Sequence, residues 1–154
     1  MFNIEQLREL IIKPALEDLI MLSDDAVELL VFTCAVESNG GSSITNAKGL
    51  GIYGMCPESY HDIWQNYLIG KSSLYMRLHS NFDVNRIPDE YRLIYDLRFA
   101  TAMTRIHYAR VLEPIPQKAN QEQFWEYYKT HYNTVLGRVD KDQSLCRYHS
   151  FTNN

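Results

Sequence analysis

A chain of 154 residues with 45% hydrophobic and 22% charged residues has the composition of one globular domain rather than a disordered segment. Its formal net charge of -4, with no basic run or stripe, argues against a nucleic-acid binder. The three cysteines, Cys34, Cys56 and Cys146, are odd in number and widely separated, so they fit neither a disulfide framework nor a zinc pattern.

The N-terminal stretch MFNIEQLRELIIKPALEDL is interrupted by Glu5, Arg8, Glu9, Lys13 and Glu17, and reads neither as a signal peptide nor as a membrane span. Cytoplasmic synthesis in a reducing compartment is the expectation. Residues 4–21 carry an amphipathic helical pattern, with Ile4, Leu7, Ile11, Leu16 and Leu19 facing inward and Pro14 kinking or splitting the run. Ser23 is placed to cap the next helix, and Asp24 and Asp25 suit the positive end of its dipole. That helix contains AVELLVFTCAVE, whose polar side chains are confined to Glu28, Thr33 and Glu37. Apolar on every face, it is expected to be the central buried helix.

Gly40 and Gly41 stop this helix, and NGGSSITNAKGLG reads as a loop with a short extended excursion. Pro57 opens a helix, PESYHDIWQNYL, with Tyr60, Ile63, Trp64 and Tyr67 on one side. A short helix follows from Ser72 to about Leu78, then a loop ending near Pro88. YRLIYDLRFATAMTRIHYARVL predicts one long helix, ended by Pro114 and Pro116. Another covers Gln121 to His131, and YNTVLGRV follows as a turn. No element is read beyond Asp142. Without repeats or linkers, residues 1–154 form a single, mainly α domain.

Glu37 stands out. Helical spacing from Val27 through Leu30 and Cys34 places it on an apolar stripe, in the last turn of the helix. Partial desolvation and the negative end of the helix dipole both disfavour its charged form, so both raise its pKa. A carboxyl kept protonated near neutral pH is what glycosidic-bond cleavage needs as a general acid. The plain alternative is the solvated end of a core helix.

The residues around it carry a resemblance. Glu37-Ser38 ends the helix, Gly51-Ile52-Tyr53-Gly54-Met55-Cys56-Pro57 enters the next one, and Tyr132-Asn133 is followed by Gly137 and Val139. This arrangement resembles the lysozyme-like lytic transglycosylases and many phage-encoded peptidoglycan-cleaving domains. That family has Glu-Ser at a helix end, a Gly-Leu-Met-Gln-Ile-Met-Pro stretch and, later, Tyr-Asn-Ala-Gly before Gly and Val. The likeness spans residues 27–139. The segments IWQNYL, FATAMTRIHYAR and FWEYYKTHYNT are similar to tailed-phage proteins as well. There are departures. Gly54 stands where the family has Gln, Thr134-Val135 replaces Ala-Gly, and Asn39-Gly40-Gly41 replaces an aromatic-Asn-Pro segment.

The resemblance implies a lysozyme-like domain with a substrate cleft, Glu37 as its catalytic acid and peptidoglycan glycan strands as its partner. It implies Ser38, Gly51, Tyr53, Met55, Tyr132 and Asn133 as substrate-binding residues, with Tyr132 bonded to Glu37 or steadying the groove. A virion component, or a protein released to the cell wall, follows as the expected setting, with virion proteins as possible partners and no membrane insertion. Two-carboxylate hydrolysis needs a second acid within roughly 5–9.5 Å. No Asp or Glu lies between Ser38 and Pro57, and Glu58, Asp62 and Asp96, the nearest candidates, each have an ordinary structural role. A lone acid is therefore favoured. The rival expectations are a non-catalytic binding protein on the same scaffold, for which Gly54 speaks, and a hydrolytic muramidase with a second carboxylate from elsewhere. The five histidines show no ligand-like spacing, His107 reads as a satisfied or surface residue, and no glycine-rich loop follows a strand. No metal or cofactor is expected.

Overall fold

The computed structural model describes residues 1–133 and 138–153. The fold is mainly α, and among the described residues extended structure is limited to two isolated antiparallel bridges, Thr45 with Leu50 and Leu50 with Met55. These are the short excursion expected in the loop.

The first helix, α1, is α-helical over Ile4–Gln6, widens into a π segment over Leu7–Ile12 and returns to α over Lys13–Asp18. Pro14 lacks an amide hydrogen and crowds the preceding turn, and the wider π segment accommodates both defects without breaking the rod. It also rotates the inward face. Ile12 rather than Ile11 is fully buried, alongside Ile4, Leu7, Ala15, Leu16 and Leu19.

Helix α2, Asp24–Ser38, is the hub, and it packs against α1 and three later helices. Ser23 takes an extended backbone and accepts a hydrogen bond from the Ala26 amide, as its position predicts. Every residue from Leu29 to Val36 is buried. Truncating one of them, Phe32 for instance, to alanine costs about 3–5 kcal/mol in such an environment. Asn39 ends the helix in the left-handed region (φ 51°), and the Asn39 and Gly40 amides both reach the Cys34 carbonyl.

Helix α3 runs as Pro57–Asp62, a π segment Ile63–Tyr67 and a 3-10 turn Leu68–Gly70, and α4 spans Ser72–Asn81. The long helix predicted after Pro88 is two. Helix α5, Arg92–Tyr95, ends at Asp96, whose backbone leaves helical geometry and whose carboxylate accepts from the Phe99 amide. Arg92 holds the other carboxylate oxygen at 3.0 Å. Asp96 is thus the N-cap of α6, Leu97–Ala109, which stops before either proline. The apolar period continues across the cap, which is why the pattern alone reads as one helix. Helix α7 is Gln121–His131, as expected, with a capping box between Asn120 and Gln123.

Helix α8, Lys141–Thr152, is absent from the sequence reading, yet it completes the core. Asp140 caps it, Tyr148 lays its ring 5.0 Å from that of Phe32, and Phe151 is 1% exposed. Phe151 packs on Gly40, where a Cβ would come within 2.6 Å of its ring. Polar residues at most α8 positions hide this role, because only one narrow stripe of the helix is covered.

A cleft around the Glu37 carboxyl

The end of α2, the 46–56 loop, α6 and the segment after α7 enclose a cleft of about 760 Å³. Its lining includes Glu37, Asn46, Lys48, Gly54, Met55, His107, Tyr132, Asn133 and Arg138. That volume lies within the range of about 300–1,000 Å³ typical of ligand sites.

Glu37 is partly buried at the base. One carboxyl oxygen, Oε1, accepts from the Tyr128 hydroxyl at 2.6 Å. The other, Oε2, accepts from Asn46 Nδ2 at 3.0 Å, and Asn133 adds a third side-chain hydrogen bond. Burial pushes the carboxyl above its ordinary value; the three hydrogen bonds and the charge of Arg147 oppose the rise without cancelling it. Arg147, on α8, donates to the Val36 carbonyl at 2.8 Å. It therefore supplies from a remote helix the cation that the last turn of α2 lacks.

Each donor is itself held. Asn46 Oδ1 accepts from the Lys48 and Gly49 amides, which fixes Nδ2 as the end facing Glu37. Tyr128 is fully buried from solvent, and burial together with the Glu37 charge raises its hydroxyl pKa, so it remains a donor. Its ring stacks on Tyr132, which stacks on Tyr108, which stacks on Tyr127. This ladder takes four of the chain's 11 tyrosines.

Gly54 occupies the left-handed region (φ 60°), and a Cβ there would overlap Glu37 Oε2 and come within 2.7 Å of Asn46 Nδ2. Position 54 therefore excludes any side chain beside this carboxyl. The amide that approaches the acid comes instead from Asn46. Gly54 is built into the site rather than eroded from it.

The other expected substrate contacts divide. Met55, Tyr132 and Asn133 line the cleft. Ser38, Gly51 and Tyr53 do not. Ser38 is 3% exposed, and its hydroxyl donates to the Cys34 carbonyl and accepts from the Gly41 amide, closing its own helix. The side-chain direction of Gly51 runs into the Leu93 carbonyl, so this glycine serves the contact between the loop and α5. Tyr53 points into the core, with its hydroxyl 3.0 Å from Thr101 Oγ1. Tyr132 steadies the groove by donating to the Tyr53 carbonyl at 2.7 Å; the bond to Glu37 belongs to Tyr128, one helical turn earlier. Thr134, Val135 and Gly137 lie outside the described residues.

His107 also faces the cleft, with its ring 4.6 Å from Tyr132. Burial, then the Arg110 charge, push its pKa down to about 3, so it is neutral. Its Nδ1 lies 3.4 Å from Arg110 Nη2, which can only donate, and Arg110 also pairs with Asp62.

Glu37 is the only carboxyl among the described residues that line the cleft. Asp62 is tied to Asn66 and Arg110, Asp96 caps α6, and Glu58 is exposed in the first turn of α3. A second concavity of about 360 Å³ near α7 is richer in acids, but Glu113 meets His131, and Glu122 and Glu126 meet Lys141. Among the described residues no cluster of potential ligands fits a metal ion, and no helix is long and apolar enough to cross a membrane.

Sequence reasoning missed Tyr128, Asn46, His107, Lys48 and Arg138. A signal existed for two of them: Tyr128 precedes Tyr132 by one turn, and Asn46-Ala47-Lys48-Gly49 is a turn sequence that directs an Asn side chain back on itself. Neither signal names Glu37 as the target. No protein-family model matches the chain, and neither a curated protein nor a solved structure matches it.

Proposed function

We propose that this chain is a lysozyme-like enzyme that cleaves peptidoglycan glycan strands by single-acid, lytic-transglycosylase chemistry, as a phage protein that opens the wall locally. The observation that carries the reading is a lone carboxyl, with its pKa raised by burial, at the base of an open cleft. The order of the Glu37-Ser38, Gly51 to Pro57 and Tyr132-Asn133 motifs supports the choice of substrate.

In the first step the Glu37 carboxyl gives its proton to the glycosidic oxygen. The C1–O bond breaks, and its electron pair leaves with the departing sugar. Glu37, now a carboxylate, takes the proton of the 6-hydroxyl on the sugar that carries C1, as that oxygen closes onto C1 in place of the departed one. An anhydro end forms, Glu37 is again protonated, and no water is consumed. Tyr128 and Asn46 hold the carboxyl in place through both steps, and they stabilise the charge it carries between them. Glycine at position 54, where a Cβ would overlap Oε2, lets the carboxyl and Asn46 keep these positions.

Mass spectrometry of products from purified cell walls tests this reading. Anhydro ends are expected, and Glu37→Gln is expected to reduce their release by about a hundred- to ten-thousand-fold, the usual scale for a general acid. Reducing ends would instead assign a hydrolase. A binding protein would retain walls and release nothing, a reading that draws on the engagement of both Glu37 oxygens.

A further inference from the structure

Two cations, Lys48 and Arg138, are among the described residues that line the cleft. Lys48 sits in the loop that carries Asn46, and Arg138 lies in the segment that follows α7. Both are exposed, and among the described residues neither makes an ion pair, whereas the arginines at positions 8, 92, 98 and 110 all do. Among the described residues, the one carboxyl that shares the cleft is disposed to be protonated by its burial. The cation that bears on that carboxyl is Arg147. Lys48 and Arg138 are therefore available to a ligand.

The chain as a whole carries a net charge of -4, so its average surface repels anions. A groove of locally positive sign on such a protein selects for negative charge that enters it. A neutral polysaccharide would offer neither cation a charged partner, whereas an anionic one would.

We propose that Lys48 and Arg138 select glycan strands whose side groups carry free carboxylates beside the bond to be cut, over strands whose carboxylates are amidated. The inference rests on the glycan-strand reading above and adds the charge of the substrate. Each cation forms a solvent-accessible pair with a carboxylate of the bound strand, an interaction of modest strength individually, and the two together set a preference of about tenfold.

The test uses one wall preparation, half of it amidated with a carbodiimide and ammonia. Anhydro-product release by the unaltered protein and co-sedimentation of Glu37→Gln are both measured on the two halves. Release and retention are expected to favour the untreated wall about tenfold at low salt, and the preference is expected to shrink in 0.5 M salt, with a Debye length of about 4 Å. Introducing Lys48→Gln and Arg138→Gln together is expected to make the two walls equivalent in both assays, with the melting temperature unchanged because both side chains are exposed. Equal handling of the two walls by the unaltered protein overturns the inference, as does a preference that survives the double substitution. If neither wall is cut but untreated wall is still retained selectively, the cleavage reading falls and the charge selection stands.

Discussion

The two ends of α2 treat acidic residues in opposite ways. At the N-terminal end, Asp24 and Asp25 follow the Ser23 cap in a turn whose free amides and dipole favour negative charge. At the C-terminal end, Glu37 faces the negative pole, is partly buried, and has no basic residue in its own turn. The first arrangement is what helix formation alone prefers. The second is tolerated because Tyr128, Asn46, Asn133 and Arg147 converge on it from three other parts of the chain. A carboxyl placed against the preference of its helix, and then supported from outside, is the mark of a site rather than of a helix end.

The strongest way to break the contrast is to crowd the supported end. Gly54→Ala is expected to lower wall cleavage by about a hundredfold, because the new Cβ displaces Glu37 Oε2 and Asn46 together. Left-handed backbone at a non-glycine residue adds a stability cost of about 1–2 kcal/mol, readable by denaturant titration. Full activity in this variant would mean that the carboxyl position seen here is not the working one.

A smaller effect, but a sharper one, comes from Tyr128→Phe. The hydroxyl holds the Glu37 pKa down, so its removal lets burial act with less opposition and the carboxyl titrates higher still. The alkaline limb of the cleavage profile is therefore expected to move to higher pH. The maximum rate is expected to fall about tenfold as the carboxyl loses one anchor. A limb that moves down, or does not move, separates Tyr128 from the acid.

These differences also explain what the sequence could disclose. The N-terminal end of α2 was readable because capping is local: Ser23, Asp24 and Asp25 announce themselves within one turn. The apolar run to Val36 was readable for the same reason, and so was the unusual placement of Glu37. Its partners were not, since Tyr128 lies 91 residues away and Arg147 reaches a carbonyl 111 residues away. Helix α8 was invisible because its covered stripe is narrow, and the break at Asp96 because a cap does not interrupt an apolar period. Ser38 and Tyr53 show the converse error. Each stands beside a site residue in the sequence, but the helix turn and the loop rotate their side chains into the core.

At the favourable end, Ser23→Ala is expected to cost about 1 kcal/mol of stability, the usual value of a lost N-cap bond, and to leave the pH profile of cleavage unchanged. A shifted profile would show that the two ends of α2 are coupled, and the contrast would then be one of degree.

The smallest effect is a change in stability with pH at the other end, and it decides whether Glu37 is unfavourably placed at all. Its ordinary value is 4.5, and in the folded chain it is raised. Well below 4.5 the carboxyl is protonated in both states and costs nothing. As pH rises through 4.5, the unfolded chain ionises first while the folded chain still holds its proton, so the unfolded state gains and stability falls. The loss is complete once pH passes the raised value. Glutamine does not titrate, so Glu37→Gln escapes this loss. Its melting temperature relative to the unaltered chain is expected to rise between pH 3.5 and pH 7.5, other groups cancelling in the difference. If no such rise is seen, burial does not disfavour the Glu37 charge, and its placement ceases to be an argument for chemistry.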